Sequence, residues 1–164
     1  MEKPPISEPE KNKKMEKILS FESGKEHYEA DAFIAWCFDD RFSPLLAELK
    51  KGFGHSDDEK FAGGAKELAS SDPSAHLDQI RKSILLHKTK RVVLMVHMDC
   101  GAYGGSKKFN NNHKAEQDYL ASELNAAEQN VKKEFPDIEV EKVIADFDGL
   151  YKIDPKEASF GAAA

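Results

Sequence analysis

A chain of 164 residues with 40% hydrophobic residues and a formal net charge of −6 is long enough to bury the core of one domain. The acidic balance, with no basic stripe, lacks the electrostatic footprint of a nucleic-acid binder. No stretch is long and apolar enough to span a membrane, so neither nucleic acid nor a bilayer is an expected partner.

Residues 1–20 begin with a segment rich in Pro, Glu, Lys and Asn and have no apolar run of the kind a secretory signal carries. They read as a flexible or partner-wrapping arm, and the protein is expected to be cytoplasmic, with its thiols reduced. Residues 21–164 read as a single α/β domain. Its first clear element is Ala32-Phe33-Ile34-Ala35-Trp36, apolar on both faces and ending at Cys37, as a buried strand of a parallel sheet would be. Ser43 as N-cap and Pro44 at the first helical position start a helix that places Leu45, Leu46 and Leu49 on one face and closes at Gly52.

Residues 53–62 carry no clear pattern, and His55-Ser56-Asp57-Asp58-Glu59 is too polar for a central strand. Gly63 to Ser70 reads as a short helix. Asp72-Pro73 opens a longer one with Leu77, Ile80, Ile84 and Leu85 as its apolar positions. Val92-Val93-Leu94-Met95-Val96 is a second buried strand, ending at His97, followed by a loop with Gly101, Gly104, Gly105 and three asparagines. A polar helix from His113 to Glu134 has Tyr119, Leu120, Leu124, Ala127 and Val131 as its stripe, and Pro136 ends it. Ile138 to Phe147 alternates like a strand with one wetter face. Asp148-Gly149 then signals a hairpin before Leu150-Tyr151-Lys152-Ile153. Strands alternating with helices predict an α/β fold, a parallel-sheet core flanked by helices, with right-handed crossovers.

The only two cysteines lie in Cys37-Phe38-Asp39-Asp40-Arg41 and His97-Met98-Asp99-Cys100-Gly101. Each motif follows a predicted buried strand, and sites in such sheets form outside the carboxyl ends of strands. Two thiols and one imidazole suit zinc, and three protein ligands leave the fourth position open, as in catalytic rather than structural sites. Cys37, His97 and Cys100 are therefore the candidate zinc ligands, which makes 21–164 a zinc-binding domain. Asp39 and Arg41, two apart, point the same way if the segment is extended. Asp40 reads as a solvated or capping side chain, and Asp99 as a cap of the following loop or a support to a ligand. Gly101 reads either as a point of close backbone approach or as a plain turn residue. His55, His76, His87 and His113 read as surface histidines.

The two motifs together resemble the β-class carbonic anhydrases, which carry Cys-x-Asp-x-Arg after the first core strand and His-x-x-Cys after a later one. The matches are Cys37, Asp39 and Arg41, then His97 and Cys100. The resemblance covers about residues 30–153 and looks closest to small prokaryotic members. It implies zinc-dependent, reversible hydration of CO2 to bicarbonate and a proton. Zinc lowers the pKa of bound water from about 15.7 to about 7, and the zinc-bound hydroxide attacks CO2. Two thiolates donate more charge than imidazoles, so activity is expected to rise with pH. The resemblance further implies that Asp39 either becomes a fourth zinc ligand in a closed state or pairs with Arg41, making these two the catalytic residues. It also implies a homodimer or a higher even oligomer. Where the family has an Arg-Asn-Ala-Gly phrase, this chain has Lys60-Phe61-Ala62-Gly63-Gly64.

Hydrolysis of COS or CS2 on the same site is an alternative reading, since both are linear like CO2. A non-catalytic zinc-binding homologue acting as a binding or scaffold protein is another, suggested by the divergent middle phrase. A thiol redox protein would pair Cys37 with Cys100 but leave His97, Asp39 and Arg41 without a role.

Overall fold

The two apolar runs form neighbouring strands in the middle of a five-stranded sheet. The computed structural model describes residues 15–153. Most of the expected N-terminal arm, residues 1–14, lies outside the described residues, and 15–20 are exposed and neither helical nor extended into a strand. The strands are β1 (Ala32–Cys37), β2 (Ser56–Phe61), β3 (Arg91–His97), β4 (Glu139–Asp146) and β5 (Gly149–Ile153), and the helices are α1 (Ser43–Lys50), α2 (Ser74–His87) and α3 (His113–Glu134). The sheet order is β2-β1-β3-β4-β5. The first four strands are parallel, and β5 returns antiparallel to β4 through the Asp148-Gly149 hairpin.

Every residue of β1 is buried, as is all of β3 after Arg91. This is what two-sided coverage of a parallel sheet demands. From β1 the chain steps outward to β2, and from β3 it steps the other way to β4. The boundary between β1 and β3 is thus the point where the winding reverses, the place where open α/β sheets bind ligands. β1 pairs with β2 from Ala32↔Ser56 to Cys37↔Phe61, but with β3 only from Phe33↔Val92 to Ala35↔Leu94. Beyond Ala35 and Leu94 the two central strands part. The turn at Gly63–Gly64 enters the gap: a Cβ on Gly64 would lie 2.1 Å from the Met95 carbonyl oxygen and 3.3 Å from the Cys37 nitrogen. Gly64 has φ +60°, so both space and conformation require glycine there.

Several expectations are corrected. The polar segment 56–61, unassigned from its pattern, is a strand, though not a central one. It lies at the sheet edge, where one side is unpaired, and its acids have partners: Asp57 accepts from Ser83 and Tyr28, and Asp58 from Lys50. Gly63 to Ser70 forms only a single 3-10 turn at Gly64–Lys66 followed by turns. Helix α1 starts at Ser43 itself, because a 3-10 turn over Asp40–Phe42 runs straight into it and puts Phe42 at the cap. Leu85 is 74% exposed rather than core-facing. Strand β4 does not alternate: Lys142 to Ala145 are all buried, and Lys142 is satisfied there by Glu128 and Asn125 of α3 at 2.6 and 2.8 Å. Helix α3 begins where expected because the Asn112 side chain accepts from the Ala115 N–H at 3.0 Å.

Candidate metal centre

Cys37 is the last residue of β1 and His97 the last of β3, and Cys100 follows three residues later at the head of a 3-10 turn over Gly101–Tyr103. All three are buried, and their donor atoms lie within 4.8 Å of one another. The backbone supports the two sulfurs. The N–H groups of Asp39 and Gly63 donate toward Cys37, and those of Ala102 and Tyr103 toward Cys100. Such donors favour the thiolate, the form that binds metal. The neighbouring Cys100 sulfur, with His97, draws the Cys37 pKa down against burial. The same Cys37 contact, with burial, pushes Cys100 up. A bound metal cation would take the place of the remaining thiol proton.

His97 is fully buried, and its Nδ1 lies 2.8 Å from the Met98 carbonyl oxygen. A carbonyl only accepts, so Nδ1 carries a proton and Nε2 is the ring nitrogen left to face the two sulfurs. That Nε2 is buried and has no hydrogen-bond partner. An orphaned imidazole nitrogen beside two thiol sulfurs is costly for a protein alone, and it is the arrangement that a borderline-soft cation satisfies. The Phe42 ring packs on His97 at 4.4 Å between centroids and limits how the imidazole can turn.

Asp39 is not in an extended segment with Arg41. It caps the 3-10 turn, accepting from the Arg41 N–H at 3.0 Å, and the turn brings the Arg41 side chain back onto it. Arg41 Nε lies 3.1 Å from both Asp39 oxygens, and Nη2 2.7 Å from Oδ2. Arg41 holds the Asp39 carboxyl down at about 2, against partial burial. Asp39 Oδ2 nevertheless stays 3.8 Å from the orphaned His97 Nε2. Arg41 also reaches Asp99, with Nη1 on Oδ2 at 3.2 Å and Nη2 on the carbonyl oxygen at 3.1 Å, and it lies over the Phe147 ring at 5.3 Å.

Asp99 caps the following loop, its Oδ1 accepting from the Ser106 N–H at 3.0 Å. Asp40 is exposed, as expected. Gly101 has open space where a Cβ would sit and is a plain turn residue; Gly64 provides the close approach. Of the four other histidines considered, His55 and His113 are exposed, while His76 and His87 are half-buried. His87 Nδ1 lies 2.8 Å from Asp57 Oδ2, and His113 Nε2 lies 2.6 Å from Asp146. Sequence reasoning passed over Glu116, which is 2% exposed. Its signal was its register: it sits four residues before Leu120 on the buried stripe of α3. Phe147 was seen only as the end of a strand, and nothing local announces its place over Arg41.

No family model matches the chain. An uncharacterized protein of Rickettsia conorii is 28% identical over 150 residues, covering 85% of this chain and 80% of that one. Among solved structures, the carbonic anhydrase of Streptococcus mutans superposes with a TM-score of 0.56 at 18% identity, over 78% of this chain and 84% of that one. A β-carbonic anhydrase of Trichomonas vaginalis gives 0.57 at 15% identity, over 82% and 87%. The β-carbonic anhydrase CcaA gives 0.57 at 13% identity, over 84% and 79%. The chain has the β-carbonic-anhydrase fold.

Proposed function

We propose that this chain, built on the β-carbonic-anhydrase fold, is a zinc lyase that hydrates CO2 reversibly to bicarbonate and a proton. The observation that carries the reading is the buried, unpartnered His97 Nε2 grouped with Cys37 and Cys100 beside the Asp39–Arg41 pair. A zinc ion held by Cys37, His97 and Cys100 would supply a Lewis acid that makes water nucleophilic at neutral pH. The rest falls to the chain. Arg41 keeps the Asp39 carboxylate turned toward itself, which leaves the fourth position free for water. Asp39, ionised across the physiological range, accepts a hydrogen bond from the reacting water and orients its lone pair. Burial of the three donors keeps bulk water from competing with them. Asp39 and Arg41 are the proposed catalytic residues, and the active protein is proposed to be a homodimer or a multiple of one.

The test is stopped-flow CO2 hydration by protein of measured zinc content, with COS and CS2 as parallel substrates. Hydration proportional to zinc content is the expected result. Turnover of COS or CS2 alone would reassign the substrate. Full zinc with no turnover of any of the three would make the chain a zinc-binding protein without catalysis.

A further inference from the structure

Glu116 is a buried carboxylate with no part in the reaction as proposed above. It lies in the first turn of α3, where the helix N-terminus favours a negative charge, and both its oxygens are occupied. Oε1 accepts from the Asp99 backbone N–H at 2.6 Å and Oε2 from the Ser106 hydroxyl at 2.7 Å. Asp99 is the residue between His97 and Cys100 whose carbonyl and carboxylate both hold Arg41. It does so in a left-handed conformation, φ +56°, which a non-glycine residue adopts only when its surroundings hold it there. The tie from Glu116 to the Asp99 N–H, and the tie from Ser106 N–H to Asp99 Oδ1, are what hold it.

We infer that Glu116 is a positioning residue that fixes the Asp99 turn and, through it, both the Arg41 guanidinium and the loop bearing His97 and Cys100. This deepens the zinc-lyase reading and rests on it for its consequence, since a guanidinium held on both sides is what keeps Asp39 turned away from the open position. The hydrogen bonds themselves do not depend on that reading. Glutamate suits the task because it offers two acceptors at fixed spacing to two donors on one loop. Glutamine can keep the same geometry, its carbonyl accepting from Asp99 and its amide donating to the Ser106 oxygen. Alanine leaves the partly buried Asp99 N–H without a partner.

The experiment compares wild type with Glu116→Ala, Glu116→Gln and Ser106→Ala. Zinc affinity is read by chelator competition, and Arg41 Nη–H signals by nitrogen-detected NMR in zinc-loaded and zinc-free protein. Wild type should show separate, slowly exchanging Nη–H signals. Glu116→Ala should lose that protection by about tenfold or more and weaken zinc binding roughly 10- to 100-fold. Glu116→Gln should restore both to near wild type, and Ser106→Ala should fall between. Wild-type Arg41 signals and zinc affinity in Glu116→Ala would overturn the inference. So would a Gln variant that behaves like Ala, because charge rather than placement would then be at work. If Glu116→Ala does not fold, Ser106→Ala decides: unchanged Arg41 protection in it counts against the inference. A wild-type protein that binds zinc but hydrates no CO2 would sink the lyase reading and leave these readouts intact.

Discussion

Asp39 has one strong partner, and much about the site turns on it. In Arg41→Ala the carboxylate loses its cation while staying 3.8 Å from the His97 nitrogen. It should move onto the metal as a fourth protein ligand, so CO2 hydration should fall by roughly 100-fold or more with zinc content unchanged. Unchanged activity at every pH would make Asp39 and Arg41 a surface pair. The same pair has a signature in acid. Arg41 depresses the Asp39 pKa to about 2 from an ordinary 3.8, so the pair's contribution to stability is complete above the ordinary value and is lost as pH falls toward 2. Carboxyl NMR on zinc-free Arg41→Ala should show the Asp39 titration moved upward. Cys100→Ser replaces a thiolate with a weak ligand. Elemental analysis should find most of the zinc gone, and full retention would remove Cys100 from the ligand set. Gly64 has the tightest surroundings of the described glycines. A methyl group there meets the Met95 carbonyl at 2.1 Å, so Gly64→Ala should cost roughly 2–4 kcal/mol in denaturant unfolding; a neutral result would mean the turn does not enter the gap.

Among the elements, strand β2 shows how polar residues hold an edge. Asp57 on β2 is the acceptor for Ser83 and His87 of α2 and for Tyr28 from the segment before β1. Tyr28 in turn lies between the rings of His55 and His87, at 4.7 and 4.2 Å. Asp57→Ala unties three segments at once and strands partly buried donors, so a loss of about 1–3 kcal/mol is expected in thermal or chemical unfolding. A variant as stable as wild type would show that packing alone seats β2. The strands β1 and β3 were legible because burial on both faces selects unbroken apolar runs. β2 was not, because an edge strand needs only one paired side and its Asp57 answers to residues 26 and more positions away. Leu85 misled because helical spacing marks a face without saying how wide its cover is. The three soft donors were legible as a set, since few other settings bring cysteines and a histidine to strand ends. Glu116 was hidden because an acid inside an apolar stripe looks like an interruption until its partners on another loop are seen.

Over the whole chain, Met15, Ile18, Leu19 and Phe21 are 79–96% exposed. A run of large apolar side chains in open water is unusual for a monomer, and a second copy of the chain is the expected cover. Light scattering should give twice the 18.3 kDa of one chain, or an even multiple of it, and replacing these four by serine should shift the population toward monomer. Only monomer at micromolar concentration in the unaltered protein would refute the expectation. No helix among the described residues is long and apolar enough to cross a membrane.

The parting of β1 from β3 beyond Ala35 and Leu94 has a mechanical consequence. On that stretch the two central strands have no backbone ladder between them; the Gly63–Gly64 turn acts as a wedge and the three donor side chains as the clasp across its tip. A clasp of this kind works at one end only. With zinc removed, amide hydrogen exchange should quicken from Trp36 to Asp39 and from Val96 to Cys100, while Phe33–Ala35 and Val92–Leu94, still laddered, keep their protection. The sheet would then open from the site like a zip with its lower teeth still engaged.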